Sequence, residues 1–444
     1  MTEMIETVAP TEKVSGNYRW VVVAMAFIIT IINYLDRSAI SYAIGPLKRE
    51  FGLNDAHFGF IAAAFGIGYG VMTVGGGIMV DRWGARSVWA GAAVLWSLVT
   101  AMLGLASGFW MLFAFRTILG IAEGPNFPAL TRVVTDWLPV SERARSTAFG
   151  LAAVPLASVI GAPLISHLIV TLSWQMMFFI LGSLGIVWSF FWLWLFTDYP
   201  QNNKRVGPEE LLHIREGKPP EAGRSDAEIR SHELSLGKST WKFMLLNPAL
   251  MANNYAFFAF GYLLFFALTW LPEYFESTYG VHLKQVGWFL IAPWLTSAIL
   301  LVTAGFISDR IWKKTGSMRA ARSHLIWICQ LLSAACFVPV VMIHDMQIAL
   351  LLISLGLGLG LMPNACFYAL NSDLAKDRAA TSLGIMDFFF AAAGILSPIL
   401  TGLLATATGN FNAAIWLMIG FAVTSAGAIF FFQHPDRDRH IAQG

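Results

Sequence analysis

The sequence predicts an all-α polytopic membrane protein: twelve transmembrane helices in two six-helix repeats, with both termini cytoplasmic. Three observations predict it. Of 444 residues, 57% are hydrophobic and 13% are charged, where a soluble domain carries about 25% charged residues; mean hydropathy is +0.62. The apolar residues run in unbroken stretches of the ~20 residues that a helix needs to cross a bilayer, not in the short alternations of barrel strands. A polar signature that closes one stretch in the first half also returns in the second. A chain this apolar cannot present a water-soluble surface. That excludes a soluble enzyme, a disordered protein and a disulfide-stapled secreted domain. Its 29 basic and 27 acidic residues are too balanced for a nucleic-acid binder.

The elements follow in order. The tail 1–18 is polar and carries three glutamates. It lacks a basic segment followed by a short apolar run and a small-residue cleavage site, so no removable signal peptide is expected. A first six-helix bundle, 19–197, holds apolar spans at 19–45, 56–79, 87–107, 110–133, 146–170 and 175–196. The polar stretch 198–247 then divides the chain. Within it, Pro208 to Arg215 opens with proline and two glutamates, as a short helix does. The remainder, with Pro219 and Pro220, reads as a linker on the membrane surface. A second bundle, 248–432, holds spans at 248–272, 286–308, 323–343, 346–371, 381–405 and 411–432, and a tail 433–444 closes the chain. Cys329, Cys336 and Cys366 lie in apolar runs, without His or Cys at metal-ligand spacing. They are expected to pack as small hydrophobes, with no disulfide, metal or cofactor.

Basic residues set the orientation, because cytoplasmic loops retain them. With both termini inside, 24 of the 29 lysines and arginines fall in cytoplasmic segments. Three (Lys48, Arg49 and Lys284) fall outside, and two (Arg37 and Arg116) within the membrane.

The repeat is visible at the cytoplasmic loops. Gly77-Ile-Met-Val-Asp81-Arg82-Trp-Gly84-Ala-Arg86 follows the second span, and Gly305-Phe-Ile-Ser-Asp309-Arg310 follows the eighth, at an offset of 228. Gly124-Pro125-Asn126 and Met362-Pro363-Asn364 correspond at 238. Two parallel six-helix repeats are the architecture of alternating-access carriers. Gly77, Asp81, Arg82, Arg86, Asp309 and Arg310 are candidate gating residues, able to bridge helix ends.

These motifs resemble the major facilitator superfamily over the whole chain, which implies the major facilitator fold. A narrower resemblance, to the anion:cation symporter family with its bacterial galactonate, glucarate and hexuronate permeases, rests on several segments. They are Tyr34-Leu35-Asp36-Arg37, Arg116 through Gly120 to Glu123-Gly124-Pro125 with Phe127-Pro128, Asp136-Trp137 with Glu142-Arg143-Ala144, and Thr269-Trp270-Leu271-Pro272 with Tyr274.

Charges inside spanning helices are costly, by about 3 kcal/mol each on insertion scales. Five are kept: Asp36, Arg37, Arg116, Glu123 and Asp387. Arg116 and Glu123 are seven residues apart, two turns on one helix face, and Asp36 is expected at a depth between them. Two acids and two bases can therefore gather around a central cavity. Burial favours a neutral carboxylate and a neighbouring arginine favours a charged one, so relative movement or an arriving anion can load or release a proton. The competing reading is a set of fixed ion pairs. Against it, the repeat offsets place Tyr262 and Leu263 opposite Asp36 and Arg37, and Leu361 and Ser354 opposite Glu123 and Arg116. The charges are one-sided. The resemblance implies that Asp36 and Glu123 carry protons and that Arg37 binds the substrate anion. It also suggests Tyr34 and Tyr69 as lining residues, with Arg116, Asn364, Tyr368 and Asp387 as further substrate contacts.

The chain departs from the sugar-acid pattern at three places. Val154 and Pro155 stand where relatives carry Gln, Tyr368 stands for Trp, and Asp387 followed by three phenylalanines stands in an Asn-rich stretch. An unpaired substrate hydroxyl costs about 1–3 kcal/mol, so fewer hydroxyls are expected on the substrate. Asn253, Asn254, Asn364 and Asn371 are possible compensations. Asp387 is read either as facing the inner vestibule or as lying in the pocket. The expected function is proton-coupled uptake of a small organic anion (a sugar acid, hydroxy acid or aromatic carboxylate) by a monomer in a bacterial inner membrane. Its expected partners are the anion, protons and the lipid bilayer, with no nucleic acid. A proton-driven efflux carrier and a non-transporting nutrient sensor are the rivals. With no nucleotide-binding glycine loop or nucleophile motif, no enzymatic activity is expected.

Overall fold

Helix is the regular structure of every segment described in the computed structural model, which covers residues 16–216, 245–375 and 379–436. The first half comprises α1 (Tyr18–Tyr42), α2 (Ile44–Phe51), α3 (Asp55–Trp83), α4 (Ala85–Leu103), α5 (Phe109–Glu123), α6 (Asn126–Trp137), α7 (Val140–Thr171) and α8 (Trp174–Leu195). The short α9 (Pro208–Arg215) follows. The second half comprises α10 (Pro248–Tyr279), α11 (Leu283–Phe289), α12 (Ile291–Thr315), α13 (His324–Val340), α14 (Met346–Leu361), α15 (Asn364–Ala375), α16 (Ala379–Thr408) and α17 (Asn412–Phe432).

Helix starts are fixed where a short polar side chain can take up orphan backbone donors. Asn54 caps α3 with a reciprocal bond from His57, and Ser173, Asn247 and Asp345 cap α8, α10 and α14. Among the described residues, eleven segments are long and apolar enough to cross a bilayer, against twelve expected. The difference lies at 110–133. There Gly124 and Pro125 divide α5 (15 residues) from α6 (12 residues), and each piece is too short alone. Both junction residues keep right-handed helical dihedrals, so the break is local.

Close backbone approach holds the first half together. A Cβ on Gly68 of α3 would collide with the Thr117 carbonyl of α5, and one on Gly120 of α5 with the Phe65 carbonyl of α3. In lipid, such small-residue contacts replace the hydrophobic drive for helix association. α4 meets α8 through Trp89, stacked edge-on against Trp188 and Trp192 at 5.6 and 5.1 Å. The Trp89 indole donates to Asn126 Oδ1 at 2.8 Å.

The repeat extends to a fastening that joins helix ends. Gly84, at φ +81°, makes the turn into α4 with its Cα edge against the Asp198 carboxylate, where a side chain would not fit. Arg86 donates to the Phe196 and Leu193 carbonyls at the end of α8, and Asp198 accepts from the Arg86 backbone. In the second half Gly316 is at φ +65°, Arg319 donates to the Phe430 carbonyl, and Asp436 accepts from Ser317, Met318 and Arg319.

The halves touch mainly between α3 and α16, and between α7 and α11–α12. At the face away from the chain termini, hereafter the distal face, Gly59 lies against the Pro398 carbonyl, Gly402 against the Asp55 carbonyl, and Gly66 against Gly394 and Ile395. Gly70 and Gly77 continue the same stripe of α3, since spacings of four and seven keep one helix face. They meet nothing within 4 Å. The two helices therefore close at the distal face and part toward the terminal face.

Candidate functional site

Three helices of the first half converge on Arg37. Its Nη2 and Nε both donate to Oε2 of Glu123, at 3.0 and 3.3 Å. The guanidinium carbon lies 4.6 Å from the Tyr34 ring centre, 4.6 Å from Phe65 and 4.8 Å from Tyr69. A desolvated cation–π contact is worth ~2 kcal/mol, so three rings and one carboxylate together offset burial of the charge. Arg37 is 8% exposed and Glu123 fully buried. Residues 33, 34, 36 and 37 share one stretch of α1. The α3–α5 glycine contact at Phe65 carries that ring to the cluster.

Arg116 behaves differently. It lies over the Phe65 ring at 4.8 Å and donates to the Arg37 carbonyl at 3.4 Å, while its Nε has no partner. Asp36 is fully buried, with neither oxygen hydrogen-bonded, and sits within electrostatic range of Glu123. Glu123 Oε1 and both polar atoms of Asn33 fall outside hydrogen-bond geometry, although the Asn33 side chain lies near enough to Glu123 to act on it. The expected gathering of two acids and two bases thus contains a single ion pair, Arg37–Glu123. Asp36 makes no hydrogen bond or ion pair with either arginine.

From the second half, Tyr368 comes within electrostatic range of Tyr34, Tyr69 and Asp387. Asp387 is exposed, on the part of α16 that has separated from α3. Asn364 is half-buried, with Oδ1 unpartnered, and is bonded to none of these residues. A cavity of about 20 Å³, room for about one water molecule, lies distal to Arg37. Arg37 and Arg116 line one side, and Phe265, Leu268, Thr269, Gly394 and Pro398 the other. Among the described residues, no group of three His, Cys, Asp or Glu could hold a metal ion.

The expected gate residues fall at the terminal face. Arg86 fastens helix ends inside its own half, as described above. Arg82 is exposed beside the Trp83 ring, Arg310 is exposed, and Gly77 faces open space. The Asp81 and Asp309 side chains lie outside the described residues.

The sequence reading missed a polar contact at the distal face. Lys48 Nζ donates to Asp55 at 2.7 Å and, across the halves, to Glu273 of α10 at 2.8 Å. Burial pulls the Lys48 ammonium down, but Glu273 and Asp55 outweigh it and raise its pKa above the usual lysine value. The Ala56 amide adds a second cross-half bond, to Thr406 Oγ1 at 2.9 Å. Lys48 had already stood out as an exception to the charge asymmetry. That was the available signal.

Comparison with known proteins agrees with this architecture. Residues 26–398 match the Major Facilitator Superfamily. The hexuronate transporter of Bacillus subtilis is 30% identical over 417 residues, 93% of this chain and 94% of that protein. A probable galactarate/D-glucarate transporter of Bacillus subtilis is 31% identical over 431 residues (94% and 91%), and a probable sulfoacetate transporter of Cupriavidus necator 29% over 411 residues (93% and 92%). Among solved structures, an inward-facing, unoccupied bacterial homolog of the lysosomal transporter Spinster matches with TM-score 0.79 at 16% identity, covering 96% of this chain and 99% of that one. A D-xylose-proton symporter matches with TM-score 0.70 at 16% identity (95% and 99%). At this identity the two structures speak for the fold.

Proposed function

The chain belongs to the major facilitator superfamily, and from that premise we propose that it is a proton-coupled symporter that takes up a small organic anion by alternating access. The observation that carries the reading is the buried Arg37–Glu123 pair. A fixed structural pair would use both carboxylate oxygens and leave no acid idle beside it. Here one oxygen of Glu123 is bare and Asp36 has no partner. A proton taken up on Glu123 weakens its hold on Arg37, and a substrate carboxylate then takes its place on the guanidinium fork. Loss of the substrate returns Arg37 to Glu123 and expels the proton, so each ligand answers for the other.

The names of the relatives support an anion as cargo: hexuronate, galactarate or glucarate, and sulfoacetate are all acids. The cleft that opens between α3 and α16 toward the terminal face supports alternating access, with the opposite face closed by Gly59, Gly66 and the Lys48–Glu273 bridge. The charge asymmetry of the sequence supports a cytoplasmic position for the open face. The domain reading follows: two bundles, 19–197 and 248–432, rock about the anion site. The test is uptake of a labelled organic acid into proteoliposomes, with and without an inward-acid pH gradient. Accumulation that collapses with the gradient supports symport. Uptake indifferent to the gradient rejects the coupling, and stimulated release would point to efflux.

A further inference from the structure

The wall that faces the anion site from the second half is aromatic and rigid. Phe265 of α10 rests on Gly394 of α16, and Phe390 of α16 rests on Gly261 of α10; a Cβ on either glycine would meet the opposing ring within 2.9 Å. Each ring is thus seated on the other helix's backbone, and their centres are 5.1 Å apart. Phe390 continues to Phe257 at 5.2 Å, and Phe257 to Tyr368 at 5.5 Å. Phe265 lines the same cavity as Arg37 and Arg116, and Tyr368 lies within electrostatic range of Tyr34 and Tyr69. Phe265 therefore faces the guanidinium across the cavity, and Phe390 backs it, with the ring contacts continuing through the buried Phe257 to Tyr368.

Several polar side chains of the second half that would serve a sugar are committed elsewhere, although the Asn254, Asn364 and Asn371 amide oxygens keep no partner. Asn253 donates to the Phe367 carbonyl and accepts from Gln433. Asn371 donates to the Ser382 carbonyl, Gln330 to the Ala256 carbonyl, and Ser397 to the Tyr262 carbonyl. Within electrostatic range of Tyr368 stands an exposed carboxylate, Asp387. A polyhydroxylated acid would leave hydroxyls unpaired against this wall, at about tenfold in affinity for each. A planar ring gains from offset or edge contact with it.

We propose that the substrate is an aromatic monocarboxylate. Arg37 takes the carboxylate, the Phe265–Phe390 surface takes the ring, and Asp387 selects against a second negative charge at the far end. This rests on the organic-anion reading and narrows it. The test is binding to the purified full-length transporter, by calorimetry, with benzoate, 4-hydroxybenzoate, terephthalate, galactonate and glucarate as probes. The expected result is that benzoate and 4-hydroxybenzoate bind at least tenfold more tightly than galactonate and glucarate. Phe390→Ala should weaken benzoate at least tenfold, and Asp387→Asn should improve terephthalate relative to benzoate. A gap below tenfold between benzoate and either sugar acid in the wild type overturns the proposal, whether or not Phe390→Ala folds. Binding of no acid at all, or benzoate binding indifferent to Arg37→Ala, sinks the organic-anion reading itself and this proposal with it.

Discussion

Arg37 and Glu123, 86 residues apart in the chain, meet through one carboxylate oxygen: both guanidinium donors converge on Oε2, and Oε1 is left bare. A fork-to-fork pair would use both oxygens and would be hard to displace. This one leaves room for exchange, and its consequences can be measured.

Glu123→Gln keeps the size and the hydrogen-bonding capacity of the side chain but removes its titration. Accumulation driven by a pH gradient should be lost, while substrate binding is at least partly kept. Uptake at the wild-type rate along a gradient would remove Glu123 from the coupling.

Arg37→Lys should be damaging despite the conserved charge. An ammonium lacks the planar pair of donors and stacks poorly on Tyr34, Phe65 and Tyr69. Substrate affinity should fall by at least tenfold in equilibrium binding. A fall of less than threefold would make Arg37 a source of field rather than a ligand.

Lys48→Ala should loosen the distal face, since it removes the bridge from the first half to Glu273. The readout is labelling of a cysteine placed at Ala62, beside the central cavity, in a background where Cys329, Cys336 and Cys366 are serine. Modification by a membrane-impermeant thiol reagent from the distal side should accelerate severalfold. Equal labelling rates would show that the glycine contacts alone keep this face shut.

At the terminal face, Glu142 accepts from Arg19 at 2.9 and 3.2 Å and lies 3.3 Å from His213 of α9. The hydrogen bond from Arg19 chiefly holds its carboxyl below the usual value of 4.5, against burial, which pushes it up. A depressed pKa adds stability that is complete above the unfolded value and fades as pH falls through the folded one. The Tm advantage of wild type over Glu142→Gln should therefore be constant above about pH 5 and shrink at lower pH. A difference that does not change with pH would mean that the contact is only steric.

Gly120→Ala places a methyl against the Phe65 carbonyl. Overpacking of this kind costs about 1–3 kcal/mol. It should lower Tm and, by lifting α3 from α5, also weaken anion binding through the displaced Phe65 ring. Unchanged binding in a destabilised protein would separate the ring from the site.

Much of the fold could be read from the residues, because lipid permits few solutions. Apolar runs gave the crossings, and Asp81-Arg82 with Asp309-Arg310 gave the repeat. The interrupted crossing at Gly124–Pro125 was written in the sequence but passed over. The site was legible in membership more than in arrangement. Residue spacing fixes depth along a helix, so Asp36 was expected at a depth between Arg116 and Glu123. It leaves rotation to the packing of three helices, and so the absence of an ion pair between Asp36 and either arginine could not be seen. Phe65, Phe265 and Phe390 drew no site role from the sequence, since nothing local distinguishes a ring that rests on a distant glycine. Glu273 lay within a recognised motif without a role, until the fold brought Lys48 across to it.

The stripe of Gly59, Gly66, Gly70 and Gly77 along α3 is occupied at one end and free at the other. Side chains that interlock must be lifted out of one another before two helices can move. A bare backbone strip has nothing to disengage, so α16 can roll along it as a wheel rolls on a rail, making contact ahead as it breaks contact behind. The number of touching atoms then stays nearly level through the stroke. On the proposed rocking of the two bundles, the Lys48–Glu273 latch is then a contact that the stroke has to break.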